Sequence, residues 1–192
     1  MTHTQIVTSP AFIKAQKALK DALKNKPGPL LFSDTRAVMP AVVFHQLLMN
    51  GKKISMLVDR LNGNVLSQEG WRLAEVLRKR LNEGLEVTMV VRNSDRPGKD
   101  ALEEIQWLRD THPDTFKLFK ASKDLKEATL TDPEHGGYFV FTVADDENYR
   151  QEHYHDSDTT EPEEVYNGLR DPEHARKLSV FFNTMLKDCV PW

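Results

Sequence analysis

In Gly136-Gly137-Tyr138-Phe139-Val140-Phe141-Thr142-Val143-Ala144-Asp145-Asp146 an apolar run enters from two glycines and stops at paired aspartates. Tyr138 to Val143 is aromatic or β-branched throughout, which marks a buried strand. Asp145-Asp146-Glu147 forms a tight acidic turn, and Tyr149-Arg150-Gln151-Glu152 returns as a second strand. An antiparallel hairpin therefore stands late in the chain, and the segments before it determine which sheet it joins. Gly136-Gly137 gives the first strand a flexible entry. No basic residue or helix start follows them to cradle a phosphate, and no nucleotide-binding glycine fingerprint occurs anywhere.

Upstream of the hairpin, helix and strand alternate. Ser9-Pro10 opens a helix with serine as N-cap and proline at the first helical position. Phe12, Ala15, Leu19, Ala22 and Leu23 form its apolar stripe, and Pro27-Gly28-Pro29 ends it. Leu30-Leu31-Phe32 reads as a short strand leading into Ser33-Asp34, and Val38 to Met49 has helical spacing closed by Asn50-Gly51. Ile54 to Val58 is a buried strand ending at Asp59-Arg60. A helix over Trp71 to Asn82, stopped by Gly84, presents Trp71, Ala74, Leu77 and Leu81 on one face. Leu85 to Val91 is the clearest strand in the chain. Ala101, Leu102, Ile105 and Leu108 mark another helix, Pro113 ends it, and Phe116 to Phe119 alternates as a strand.

Downstream, His153 to Glu164 reads as an acidic loop and Val165-Tyr166-Asn167 as a short strand. Asp171-Pro172 then starts a final helix with Ala175, Leu178, Phe181, Phe182 and Met185 on its buried face. This order predicts an α/β fold, a single mixed, mostly parallel sheet covered by helices, with a late β-hairpin and a C-terminal helix. No repeat or composition break divides the chain. Residues 1–28 form an N-terminal helix and 29–192 the core of one domain.

At 192 residues and 22.0 kDa the chain has the size of one substantial domain. A net charge of -3 and a pI near 6.2 supply no global field toward nucleic acid or anionic membrane. No apolar run approaches the roughly 20 residues of a membrane span, and Met1-Thr2-His3-Thr4-Gln5 lacks the features of a secretion signal. Cys189 is the only cysteine, so an intrachain disulfide and a multi-cysteine zinc site are both excluded. A cytoplasmic location is the expectation.

This element order, closed by Asp171-Pro172-Glu173-His174-Ala175-Arg176-Lys177-Leu178 running to Phe181-Phe182, resembles one half of the phospholipase D-like superfamily from Leu30 to Leu186. The resemblance implies a signature of histidine, a lysine two residues on, and an aspartate five further on, lying across a strand and turn. In that family the histidine attacks the phosphodiester phosphorus and the lysine helps hold the phosphate. With Asp145 in the aspartate position, Tyr138 stands at the histidine position and Val140 at the lysine position. Only Asp145 matches. Where the family often carries Gly-Ser and Asn, this chain reads Asn148-Tyr149-Arg150-Gln151-Glu152. Valine offers no donor to a phosphate, and the imidazole that would form the phospho-enzyme is replaced. The resemblance thus implies a pseudoenzyme without cofactor. It would act as a binding or assembly subunit, with a protein partner or as a homodimer, and as an accessory to a nucleic-acid-processing or defence complex.

Other residues keep rival readings open. His153, His155 and Asp156, with Glu152 and Asp158 nearby, are the densest set of potential metal ligands. They suit a metal-dependent phosphodiesterase or nuclease holding a divalent ion, or simply a solvated acidic loop. Asp34 and Asp59 follow apolar strands at the carboxyl edge where α/β sheets place ligands. They suit a small-ligand-binding domain, a magnesium cluster with Asp145, or plain turn and cap roles. Lys14, Lys17, Lys20, Lys24 and Lys26 lie opposite the apolar stripe of their helix, and Arg72, Arg78, Lys79 and Arg80 flank another. Both sets suit phosphate contacts or an ordinary solvated face. Trp71 and Trp107 read as helix core, Trp192 as a side chain that folds back or docks on a partner, and Cys189 as a packing residue.

Overall fold

A computed structural model describes residues 10–33, 38–59, 73–93, 99–122, 138–154 and 164–192. The elements are α1 (Pro10–Asn25), β1 (Leu30–Phe32), α2 (Val38–Asn50), β2 (Lys53–Val58), α3 (Leu73–Asn82), β3 (Glu86–Val91), α4 (Lys99–Thr111), β4 (Phe116–Lys120), β5 (Tyr138–Ala144), β6 (Asn148–Tyr154), β7 (Glu164–Leu169), α5 (Pro172–Leu186) and β8 (Val190–Pro191). The eight strands form one sheet in the order β1-β7-β6-β5-β2-β3-β4-β8.

The sheet is single and mixed, as its sequence predicts, but its parallel part is smaller than expected. Among the described residues only β2–β3 and β3–β4 pair in parallel, joined by the crossovers that contain α3 and α4. β5 enters beside β2 in the opposite sense, with Ile54 opposite Ala144 and Leu57 opposite Phe141. The hairpin, β7 and β1 then extend the sheet by antiparallel pairing alone. The physical reason is connection length. A three-residue turn between Ala144 and Asn148 can join only antiparallel neighbours. β1 goes to the far edge, against β7, and β8 caps the opposite edge through Phe119 and Lys120.

Two cores lie on the two faces. One side carries α1 to α4, with Phe12, Phe44, Leu47, Leu48, Leu77 and Leu108 over Ile54, Met56, Val87, Met89 and Phe116. α2 is apolar around most of its circumference because α1, α3 and the sheet all contact it. The other side carries α5, whose Ala175, Leu178, Phe182 and Met185 cover Leu57, Val90, Phe141, Val143 and Tyr149. α5 starts as the sequence predicts. Pro172 occupies the first turn and the Asp171 carboxylate accepts from the His174 backbone N–H at 3.5 Å.

Gly168 on β7 shows how closely this face is packed. The Tyr149 ring lies directly over it, where a Cβ would have to sit. We predict that Gly168→Ala costs about 1–3 kcal/mol by overpacking, and that most of this cost vanishes in a Tyr149→Ala background. Chemical denaturation of the four proteins measures both. An equal cost in both backgrounds would place the strain elsewhere.

Candidate functional site

β5 carries the three positions at which the family resemblance places its signature, and it separates them. Tyr138 begins the strand and Asp145 follows its end, so the two lie about 20 Å apart at opposite edges of the sheet. Asp145 adopts a left-handed backbone with φ 54°, as does Asp146 with φ 55°, and the Glu147 N–H closes the turn onto the Ala144 carbonyl at 3.1 Å. Aspartate tolerates that region better than most residues. The Asp145 carboxylate accepts from the backbone N–H groups of Lys52 at 3.0 Å and Lys53 at 2.8 Å. It therefore ties the hairpin tip to the start of β2. Its role in this geometry is structural.

At the other edge, Tyr138 is buried at 3% exposure. Its ring stacks on Tyr154, 5.1 Å away and nearly parallel, and the Arg92 guanidinium lies 4.0 Å over its centroid. Arg92 follows β3 and pairs with Asp59, which follows β2, at 3.1 Å. Asn93 donates to the same carboxylate at 2.7 Å. The Asp59 carboxylate thus balances Arg92. Because Asp59 and Asp145 sit at opposite ends of β2, they cannot share a magnesium ion. Val140, at the lysine position, is a buried core residue opposite Glu152.

From Tyr154 a polar rail runs along the helix-covered face of β6. The Tyr154 hydroxyl donates to Glu152 Oε2 at 2.7 Å, and Arg150 Nε donates to Glu152 Oε1 at 2.6 Å. Arg150 Nη1 reaches Asn167 Oδ1 on β7 at 3.0 Å, and Asn167 Nδ2 donates to the Phe32 carbonyl on β1 at 3.3 Å. Arg150 is 6% and Asn167 1% exposed, so each needs these partners. Burial, and then the Glu152 carboxylate, push the Tyr154 phenol far above its ordinary range, so it stays a donor. Sequence reasoning missed this rail. Its signal was present as Asn148, Arg150, Glu152 and Tyr154 at alternate positions, one face of a strand.

The opposite face of β6 carries His153, which belongs to the strand rather than to a loop. It stacks on Phe139 and meets Tyr166 edge-on. Gln151 bridges it to α5, its Nε2 lying 2.9 Å from His153 Nε2 and its Oε1 2.8 Å from His174 Nε2. Desolvation, and secondarily Lys177, pull the His174 pKa down against the attraction of Asp171. His45 on α2 is likewise lowered by burial and then by Lys20. No group of three or more potential metal ligands occurs among the described residues. His155 and Asp156 lie outside them, as do Asp34, Gly136, Gly137, Trp71 and Arg72.

Lys14, Lys17, Lys20, Lys24 and Lys26 are all exposed, and none is ion-paired among the described residues. Arg80 is structural, holding the Leu48 and Gly51 carbonyls and Glu83. Trp107 is not core. It is 46% exposed, with Arg78 5.8 Å from its ring centroid and His112 edge-on to it. Trp192 folds back beside Lys120, its N–H on the Leu118 carbonyl. Cys189 is half-buried, and burial raises its thiol to about 11, so little thiolate is present near neutrality. Among the described residues no helix is long and apolar enough to cross a membrane.

No family model matches the sequence, and no curated protein resembles it. Solved structures do share the fold. Nuc from Salmonella typhimurium, a phospholipase D family member, aligns over 87% of this chain and 99% of its own, with TM-score 0.58 and 10% identity. NucT from Helicobacter pylori aligns over 85% of this chain and 98% of its own, with TM-score 0.57 and 14% identity. TrmBL2, an archaeal chromatin protein, aligns over 94% of this chain at TM-score 0.55 and 12% identity, and this chain spans 64% of it. At such identities the likeness is one of fold, and the fold of this chain is phospholipase D-like.

The two lowered histidines fix a pH response. Both have folded-state pKa values below the ordinary 6.5, so as pH falls through that value the unfolded chain binds more protons. Their contribution is intact above that value and is lost as pH falls from it toward the lowered folded pKa. We predict that His45→Gln with His174→Gln reduces the loss of stability between about pH 7 and about pH 5.5. Urea midpoints across that range provide the check, and an unchanged pH slope would contradict the assignment.

Proposed function

We propose that this chain is a non-catalytic phospholipase D-like domain that works as a binding or assembly subunit, through a protein partner or a second copy of itself. The observation that carries this reading is the packing of Tyr138 between Arg92 and Tyr154 at the position the resemblance gives to the nucleophile. A side chain enclosed in that way has no approach to a phosphorus atom, and Val140 beside it cannot hold a phosphate. Asp145, the one matching residue, is occupied by the N–H groups of Lys52 and Lys53 at the other edge. A domain that keeps the scaffold without the chemistry acts through its surfaces.

A second reading adds nucleic acid to the partners. It rests on the exposed, unpaired lysines of α1 and on TrmBL2, a chromatin protein for which DNA binding is described. In that case the lysine face contacts phosphates without cleaving them.

We expect no hydrolysis of bis(p-nitrophenyl) phosphate or of single- and double-stranded DNA above the buffer rate, with or without divalent metal. Turnover that Tyr138→Phe abolishes would sink the proposal. Purification of the tagged protein at native level, with and without nuclease, then separates the partners. A stoichiometric protein that survives nuclease supports assembly, and recovery of the monomer alone counts against it.

A further inference from the structure

The edge of the sheet opposite Tyr138 carries a concave site of its own. A cleft of about 540 Å³ lies where the β5–β6 turn and α5 overhang the start of β2. Its size is that of small-molecule sites in general. Three observations give it a chemical character.

The turn forms an acidic wall. Asp145 is consumed by the Lys52 and Lys53 N–H groups, which fixes the turn and leaves Asp146 and Glu147 at the cleft. Asp146 Oδ1 accepts the Ser179 hydroxyl from α5, leaving Oδ2, and the Glu147 carboxylate has no partner among the described residues. Lys52 and Lys53 supply a basic lip, and their ammonium groups are also without a carboxylate among the described residues.

The floor of the cleft is polar as well. Ser55 lies inside β2, opposite Val143 and two residues from fully buried Leu57. It is 9% exposed as a residue, and its hydroxyl opens onto the cleft with no hydrogen-bond partner among the described residues. An interior strand position ordinarily carries an apolar residue. A serine there presents a donor and acceptor to whatever enters.

We propose that this cleft binds a small zwitterion of dipeptide size. Asp146 and Glu147 hold its ammonium group, Lys52 and Lys53 hold its carboxylate, and the Ser55 hydroxyl meets its polar skeleton. Opposite charges lining one cleft select a ligand with both charges over one with either, because each unmatched charge would keep an unpaired group. The site lies about 20 Å from Tyr138 along β5, so it stands whether or not the chain is catalytically silent.

The test uses the full chain, isotopically labelled, titrated with an equimolar mixture of alanyl dipeptides and followed by amide NMR. Saturable shifts are expected at Lys52 to Ser55, Asp146, Glu147 and Ser179. N-acetylated and C-amidated versions of the same peptides should each bind about tenfold more weakly, in line with the loss of one charge-assisted contact. Ser55→Ala and Glu147→Gln should each weaken binding about fivefold or more without lowering the melting temperature. Absence of saturable shifts at these residues would overturn the proposal. So would capped peptides that bind as tightly as free ones, or variants that bind like the parent chain.

Discussion

A guanidinium buried to 6% exposure inside a sheet permits few arrangements of the strands around it. Arg150 needs its carboxylate, and Glu152 two residues along the same strand provides it at 2.6 Å. The remaining donors need acceptors, and Asn167 on β7 supplies one. Strand register follows from this. A slip of one residue in β6 would turn Arg150 and Glu152 toward the apolar side of α5, where Phe182 and Leu178 sit. The antiparallel half of the sheet is therefore pinned by a polar rail as well as by its apolar cores.

The same rail reaches the position that the resemblance gives to the nucleophile. Glu152 holds the Tyr154 hydroxyl, Tyr154 stacks on Tyr138, and Tyr138 receives Arg92 from the parallel half. Arg92 in turn is balanced by Asp59. The network runs from β1 to β3 across the carboxyl edge of the parallel strands, the place where α/β sheets ordinarily expose ligand-binding groups. Among the described residues, Asp59, Arg92, Tyr138 and Tyr154 engage one another there, with Arg92 Nε left without a hydrogen-bond partner. Surfaces elsewhere, the α1 lysines and the cleft under the β5–β6 turn, keep unpaired polar groups.

Much of the fold was legible because local chemistry announced it. The Asp171-Pro172 start of α5, the β-branched run of β3 and the aromatic run of β5 each carry their own signal. Strand partners were less legible. Nothing within Leu30-Leu31-Phe32 says that it crosses to β7, since that choice is made by distant residues such as Leu169 and Asn167. β6 was cut short at Glu152 because His153 and Tyr154 read as the start of an acidic loop, whereas both continue the strand. Trp107 misled in the opposite direction. It stands at a helical spacing that suits a core, but it faces outward beneath Arg78. At the candidate site, Tyr138 and Val140 were readable at the positions the resemblance gives to histidine and lysine, while the packing around Tyr138 depended on Arg92 and Tyr154.

A double-mutant cycle on Arg150 and Glu152 tests this account most directly. Arg150→Met and Glu152→Leu would be compared singly and together by denaturant unfolding. Removing one member leaves the other charge buried, so each single change should cost about 3 kcal/mol, and the double change clearly less than the sum. Two small, additive effects would contradict the account, since they would mean that the rail neither fixes the strands nor closes the site.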